Sequence, residues 1–314
     1  MAKPDLLQIC PFAEPVEKAL AEDFTLHRYF EAEDKPALLE KLAPTTRFVA
    51  TGGHHGATRE MIAALPKLEI ISSFGVGYDA VDVAAAKEHG VSVTNTPDVL
   101  NDCVAETTLA LMLALCHRVP QADAYVRAGR WESEGTFGLT DELTGTRVGI
   151  LGLGRIGKTI AKLCQAFNME VVYHGRSRQE HQPYPHHPDL EAMARDVDWL
   201  VAIAPGTEET KGIVSRKVME ALGPKGKLVN MGRGSLVDEA ALIELLETDA
   251  LGGAALDVFA NEPHVPERLR KLQNVVLLPH QGSATHKTRA AMGMMVVKNL
   301  KAHLRGEPLL SPVV

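Results

Sequence analysis

The sequence predicts an α/β fold built of parallel sheets with helices on both faces, divided over two domains. Three observations lead there. Short apolar runs alternate with segments of helical periodicity along nearly the whole chain, the pattern of repeated βα units. A glycine cluster at 147–157 joins one apolar run to one such helix. The chain has 314 residues and 45% hydrophobic content, long for one domain and enough for two cores.

Residues 1–98 alternate strands and helices. Apolar runs at 6–10, 48–51, 69–73 and 91–94 read as strands, and 14–22, 34–43, 58–64 and 80–89 read as helices between them. Two loops at strand ends are rich in glycine, 51–56 and 74–79, and the second can present bare backbone N–H groups to an anion. From Val99 to Arg118 the chain becomes one long helix, followed by a second at 120–129. Both are too apolar to be solvated all round, so a subunit partner or the other domain is expected against them. Residues 132–146 read as a loop.

The stretch Arg147-Val148-Gly149-Ile150-Leu151-Gly152-Leu153-Gly154-Arg155-Ile156-Gly157 is a strand running into Gly-x-Gly-x-x-Gly, with a helix following at once. Gly152 permits the tight turn, Gly154 clears the backbone where it meets a pyrophosphate, and Gly157 lets helix and strand pack closely. The phosphates then face the free N–H groups at the positive helix end. This predicts a doubly wound, Rossmann-type dinucleotide unit. It continues through strands at 170–174, 198–203, 227–230, 251–256 and 274–278, with helices at 189–195, 215–221 and 238–247. The last helix, 284–305, carries Met292, Met294 and Met295, read as core packing. Ending the chain, it can return to the first domain.

Composition narrows the partners. Forty acids against 33 bases give a net charge of −7, and no basic stripe points to nucleic acid. No apolar run reaches the roughly 18 residues of a membrane span, and the N-terminus lacks a signal-peptide pattern. Cys10, Cys103, Cys116 and Cys164 have no metal or disulfide spacing and read as reduced thiols, so a cytoplasmic protein is expected. The histidine-rich loop 181–188 contains three prolines and no acid or thiol cluster, so a stiffened solvated loop is expected there and no metal.

The end of the second nucleotide-unit strand bears on cofactor choice. About 20 residues past the glycines an acid ordinarily accepts from a ribose 2′-OH and selects NAD. Here the chain reads His174-Gly175-Arg176-Ser177-Arg178 with no carboxylate. Guanidinium groups bind phosphate through paired charged hydrogen bonds, so Arg176, Ser177 and Arg178 predict NADP(H) in preference to NAD(H).

Three further motifs at strand ends carry reactive side chains: Arg233 in Asn230-Met231-Gly232-Arg233-Gly234, Asp257 and Glu262 after the strand ending at Leu256, and His280 in Pro279-His280-Gln281-Gly282. A histidine is a natural general acid near neutral pH, a neighbouring carboxylate stabilises imidazolium, and an arginine can grip a carboxylate and polarise a carbonyl oxygen.

With these motifs in this order the chain resembles the D-isomer-specific 2-hydroxyacid dehydrogenases over nearly its whole length, most of all the glyoxylate/hydroxypyruvate reductase and hydroxyphenylpyruvate reductase branch. The resemblance implies two Rossmann-like domains. A doubly wound NAD(P)-binding domain, 99–284, is inserted in a flavodoxin-like substrate domain of 1–98 plus 285–314, and a homodimer forms through the nucleotide-binding domain. It implies Arg233, Glu262 and His280 as the catalytic set, and Val76 and Gly77, with Arg233 and His280, as the substrate-binding set. Implied cofactor contacts are Gly152, Leu153, Gly154, Arg155, Ile156, Gly157, Pro205, Thr210, Met231, Asp257, His280 and Gly282. The expected reaction is reduction of a small 2-oxo acid to the D-2-hydroxy acid. Alternatives are a reductase of 2-ketogluconate or an aryl pyruvate, for which Phe74 and Trp131 are candidate lining residues, and a non-enzymatic nucleotide-sensing corepressor. A formate dehydrogenase relation fits the arginines poorly. Gln281 departs from the apolar residue common after the histidine.

Overall fold

The computed structural model describes residues 3–314. The chain divides into two compact units: residues up to Leu100 together with Ala284–Val314, and Asn101–Ser283.

The first unit runs β1 (Asp5–Gln8), α1 (Glu14–Ala21), β2 (Thr25–Arg28), α2 (Lys35–Leu42), β3 (Phe48–Gly52), α3 (Arg59–Ala64), β4 (Ile70–Phe74), α4 (Val83–Glu88) and β5 (Ser92–Thr94). Its five strands are all parallel in the order β2-β1-β3-β4-β5, the flavodoxin-like arrangement. Adjacent strand residues point to opposite faces. Leu7, Val49 and Ile71 therefore join Ile62, Ala85 and Ala86 in one core, while Leu6, Phe48 and Ile70 meet Val16 and Leu20 in another. Asp34, Thr58 and Asp82 cap α2, α3 and α4 by accepting from backbone N–H groups of the first turn.

The sequence reading missed β2. Its four residues, Thr-Leu-His-Arg, are exposed at both ends and half-buried between, and among the described residues β1 is its only partner strand, so no apolar run announces it.

The C-terminal helix, His286–Arg305, supplies Val296, Val297 and Leu300 to the second core. Beyond it, Asn299 holds the tail through Leu310 N, Ser311 N and Ser311 Oγ, and Val313 N donates to Val93 O at 2.7 Å beside β5. Met292 is buried as expected, whereas Met294 points outward. The same helix presents His303 Nε2 3.0 Å from Glu69, which also takes a two-pronged hydrogen bond from Arg47. That Arg47 bond, with His303 adding to it against partial burial, holds the Glu69 carboxyl below its ordinary value. A depressed carboxylate stabilises the fold at neutral pH and loses that contribution as pH falls through its folded value. Glu69→Gln is expected to cost about 1 kcal/mol at pH 7 and almost nothing in acid, where the carboxylate is already protonated. Thermal unfolding of both forms across the acid range measures this; an equal deficit at every pH would refute it.

The second unit opens with α5 (Asn101–Cys116), α6 (Val119–Arg127) and α7 (Arg130–Glu134). It continues β6 (Arg147–Leu151), α8 (Arg155–Ala166), β7 (Glu170–His174), α9 (Leu190–Arg195), β8 (Trp199–Ala202), α10 (Arg216–Leu222), β9 (Lys227–Asn230), α11 (Glu239–Glu247), β10 (Gly253–Leu256), α12 (Glu267–Lys271) and β11 (Val275–Leu277). Six parallel strands lie in the order β11-β10-β9-β8-β6-β7, the chain adding β7 on one side of β6 and β8 onward on the other. Leu200, Leu228, Ala254 and Leu256 pack with residues of α9, α10 and α11 on one face, while α5 and α8 cover the other.

Two expectations change here. The apolar surface of α5 is covered within its own unit by α8 and the sheet, so its composition needs no outside partner. The segment read as a loop from 132 begins inside α7, closed by an Arg130–Glu134 ion pair one turn apart. All four cysteines are buried, and burial pushes the Cys10 thiol up to about 11 and Cys164 up to about 12, the range of unreactive thiols. Among the described residues no single helix is long and apolar enough to cross a membrane.

Candidate active site

Register places the reactive residues. His174, Leu151, Ala202, Asn230, Leu256 and Leu277 are consecutive partners across all six strands of the second unit. Every motif singled out in this unit follows that line by a few residues: 152–157 after β6, 176–178 after β7, 205–210 after β8, 231–233 after β9, 257–262 after β10 and 280–282 after β11. The carboxyl edge of an open parallel sheet, at the point where strand order reverses, is where such folds bind ligands.

The glycine turn fits a dinucleotide. Gly152 has φ +101°, and a Cβ there would stand 2.9 Å from the Ala204 backbone, across the gap between β6 and β8. At Gly157 a Cβ would lie 2.2 Å from the Gly152 carbonyl oxygen, so only glycine lets α8 sit on the turn. Gly154 differs. Its φ of −78° suits any residue and a Cβ would meet no protein atom within 4 Å. Packing does not explain this glycine, whereas room for a phosphate against the backbone would. Gly154, at the N-cap of α8, has no side chain with which to cap the helix, and a helix N-terminus is where anions bind.

Past β7, Arg176, Ser177 and Arg178 are all exposed. The histidine-rich segment folds back on the strand: His174 Nδ1 lies 2.8 Å from His187 O, and His186 Nε2 3.0 Å from Gly175 O. After β8, the Thr210 hydroxyl donates to Pro205 O at 2.7 Å and accepts from Thr207 N at 2.9 Å, bracing the turn that begins at Pro205.

Arg233 leaves β9 beside Gly206, where a Cβ would stand 2.8 Å from the Arg233 stem, and its Nη1 donates to Gly232 O at 2.8 Å. Buried Asn230 shapes the turn, donating to Arg233 O and accepting from Gly232 N. Gly234 permits contact with the next loop, since a Cβ would come within 2 Å of Phe259 O. In that loop, Glu262 Oε1 accepts from Phe259 N at 3.0 Å and Oε2 stands 2.8 Å from His280 Nδ1. Both side chains are about a quarter exposed, so the pair is reachable yet partly shielded. One carboxylate thus anchors its own loop and orients the imidazole. The following peptide, Glu262-Pro263, is cis.

His280 has φ +51°, left-handed and unusual outside glycine. Asp257 holds it there: His280 N donates to Asp257 O at 2.8 Å, and the Asp257 carboxylate accepts from Gln281 N at 2.7 Å and Gly282 N at 2.8 Å. Burial pushes the Asp257 carboxyl up, partly offset by those two amides. Thr107 Oγ1 of α5 shares its proton between Cys103 O at 2.9 Å and Gly282 O at 3.2 Å, and Met231 packs where a Gly282 Cβ would stand. This bracing by Asp257 and Thr107 was not foreseen. No local motif reveals it, because the partners are 25 and 175 residues apart in sequence. Leu153 is buried, so only its backbone faces the turn, and the Gln281 side chain is exposed.

In the first unit, the loop after β4 carries Val76 and Gly77. Gly75 adopts φ +138° and its amide donates to Thr96 Oγ1, while Asn95 Nδ2 donates to Val76 O at 2.9 Å. Among the described residues neither the Val76 nor the Gly77 amide has a protein acceptor. Phe74 is packed on Phe12 with Arg289 over its ring, whereas Trp131 in the second unit is 62% exposed.

Known proteins resemble this chain over nearly its whole length. Residues 109–282 match the family model described as D-isomer specific 2-hydroxyacid dehydrogenase, NAD binding domain. A glyoxylate/hydroxypyruvate reductase of Arabidopsis thaliana is 48% identical over 309 residues, covering 98% of each chain. The chain belongs to the D-isomer specific 2-hydroxyacid dehydrogenases. A hydroxyphenylpyruvate reductase of Plectranthus scutellarioides is 47% identical, again over 98% of each chain. A solved NADPH-dependent glyoxylate/hydroxypyruvate reductase of Sinorhizobium meliloti, in complex with NADP and malonate, superposes with a TM-score of 0.92 at 42% identity, covering 100% of this chain and 97% of that one. As a 2-hydroxyacid dehydrogenase, this protein is an NAD(P)-dependent oxidoreductase of 2-oxo and 2-hydroxy acids.

Proposed function

We propose that this dehydrogenase reduces a small 2-oxo acid of the glyoxylate/hydroxypyruvate class to the D-2-hydroxy acid, with NADPH preferred over NADH. The observation that carries the reading is the 2.8 Å pair of His280 Nδ1 and Glu262 Oε2 on the sheet edge that also bears the glycine turn and Arg233. The nicotinamide, when bound, supplies the hydride that adds to the carbonyl carbon. The oxygen gaining charge then needs a proton. With Nδ1 engaged by Glu262, delivery falls to Nε2 of His280, and Glu262 stabilises the imidazolium before transfer. Arg233 binds the substrate and polarises its carbonyl oxygen, and the amides of Val76 and Gly77 take the carboxylate.

The cofactor is held by the Gly152–Gly157 turn with Leu153, Arg155 and Ile156, and by Pro205, Thr210, Met231, Asp257, His280 and Gly282. Arg176, Ser177 and Arg178 take the 2′-phosphate. The NADPH assignment is supported by the absence of an acid at the end of β7 and by the exposure of both arginines. On this reading 99–284 is the nucleotide-binding domain, and 1–98 plus 285–314 the substrate domain, of a cytoplasmic enzyme. A homodimer through the nucleotide-binding domain is supported by four of the seven exposed large hydrophobics among the described residues, Val119, Val126, Trp131 and Leu139, falling within one short stretch. Light scattering on the purified protein decides that point, and a monomer would refute it.

The test is a set of initial rates with NADPH or NADH against glyoxylate, hydroxypyruvate, 2-ketogluconate and phenylpyruvate. Turnover is expected to be fastest with NADPH and glyoxylate or hydroxypyruvate. Preference for phenylpyruvate would move the substrate to the aryl class, in line with the Plectranthus relative. Nucleotide binding without turnover on any acid would favour a sensing role.

A further inference from the structure

The excursion bearing Arg176, Ser177 and Arg178 leaves β7 and comes back to it. Tyr173 N donates to Pro185 O at 3.0 Å, His187 N donates to Tyr173 O at 2.8 Å, and Tyr173 pairs with His186 as a parallel bridge. Between these feet, Gln179 turns inward. Its backbone N donates at 2.6 Å to the hydroxyl of Tyr173, a side chain with 1% exposure, and its Nε2 donates at 2.9 Å to Leu153 O. Leu153 lies between Gly152 and Gly154. Gln179 therefore ties the arginine turn directly to the glycine turn.

We infer that Gln179 is a positioning residue for NADPH selectivity: it sets the separation between the glycine turn before α8 and the guanidinium groups of Arg176 and Arg178. The inference rests on the NADPH reading above. One cofactor carries both its pyrophosphate and its 2′-phosphate, so both turns must be gripped at a spacing that its covalent structure dictates. An arginine turn not held at that spacing must be ordered on binding, which costs affinity. NADH has no 2′-phosphate, engages only the glycine turn, and is indifferent to the cross-link. A glutamine suits the task because its amide can donate to a carbonyl oxygen, which a carboxylate cannot.

Gln179→Met removes the side-chain donor while keeping the length and the backbone bond to Tyr173, and Gln179→Leu is a second form should the first fold poorly. Fluorescence titration is expected to show the NADPH Kd raised about tenfold and the NADH Kd changed less than about twofold, the scale of one lost hydrogen bond acting on one ligand only. Turnover at saturating NADPH stays unchanged. In an Arg176→Ala/Arg178→Ala background the same change should add less than about twofold to the NADPH loss, because the cross-link acts through those arginines. Equal losses for both nucleotides, or the full loss persisting without the arginines, overturns this inference and leaves the NADPH reading standing. Equal affinity of the unsubstituted protein for NADPH and NADH refutes that reading, and this inference with it.

Discussion

His280→Ala is expected to lower turnover by about 10²- to 10⁴-fold, the usual worth of a positioned general acid, while NADPH affinity stays within about twofold. The separation follows from geometry. The imidazole side chain is engaged by Glu262, whereas its loop is held through backbone groups, by Asp257 on Gln281 N and Gly282 N and by Thr107 on Gly282 O. Truncating the side chain leaves those bonds in place, so the nucleotide contacts made by the backbone of residue 280 and by Gly282 survive. Steady-state rates combined with fluorescence titration of NADPH read both quantities. Near-normal turnover would remove the role given to His280. Loss of NADPH binding in step with turnover would show that the histidine acts on the fold of its loop instead of on the substrate.

Removing both guanidinium groups, Arg176→Ala with Arg178→Ala, is expected to weaken NADPH by about 10²-fold and NADH by less than about threefold, since charge-assisted hydrogen bonds to phosphate are the strong ones. Both side chains are exposed, so stability should hardly change. The difference should shrink with added salt, because exposed charges are screened. KM values for the two nucleotides at low and moderate ionic strength make the measurement. Equal losses for NADPH and NADH would refute the 2′-phosphate assignment while leaving the reduction chemistry untouched.

Much of this site is legible in the sequence because its parts are local. A strand, a glycine turn and a helix are contiguous, so 147–157 announces its fold and its ligand together. Arg233, Glu262 and His280 each follow an apolar run, and βα alternation alone puts the ends of such runs on one sheet edge. Tertiary structure decided the rest. That β9, β10 and β11 are neighbours, with Asn230, Leu256 and Leu277 in line, depends on strand pairing that no periodicity encodes. The brace of Asp257 on the His280 loop, the tie from Gln179 to Leu153 and the cover of α5 by α8 join residues far apart in sequence. The edge strand β2 gives no apolar run because one-sided pairing leaves three of its four residues polar and none of the four fully buried. Sequence by itself determined which chemical groups stand at the ends of strands, because that follows from short-range pattern. Only the folded chain determined which of them meet and what holds them, because hydrogen bonds and packing depend on distance in space, and chain order does not record it.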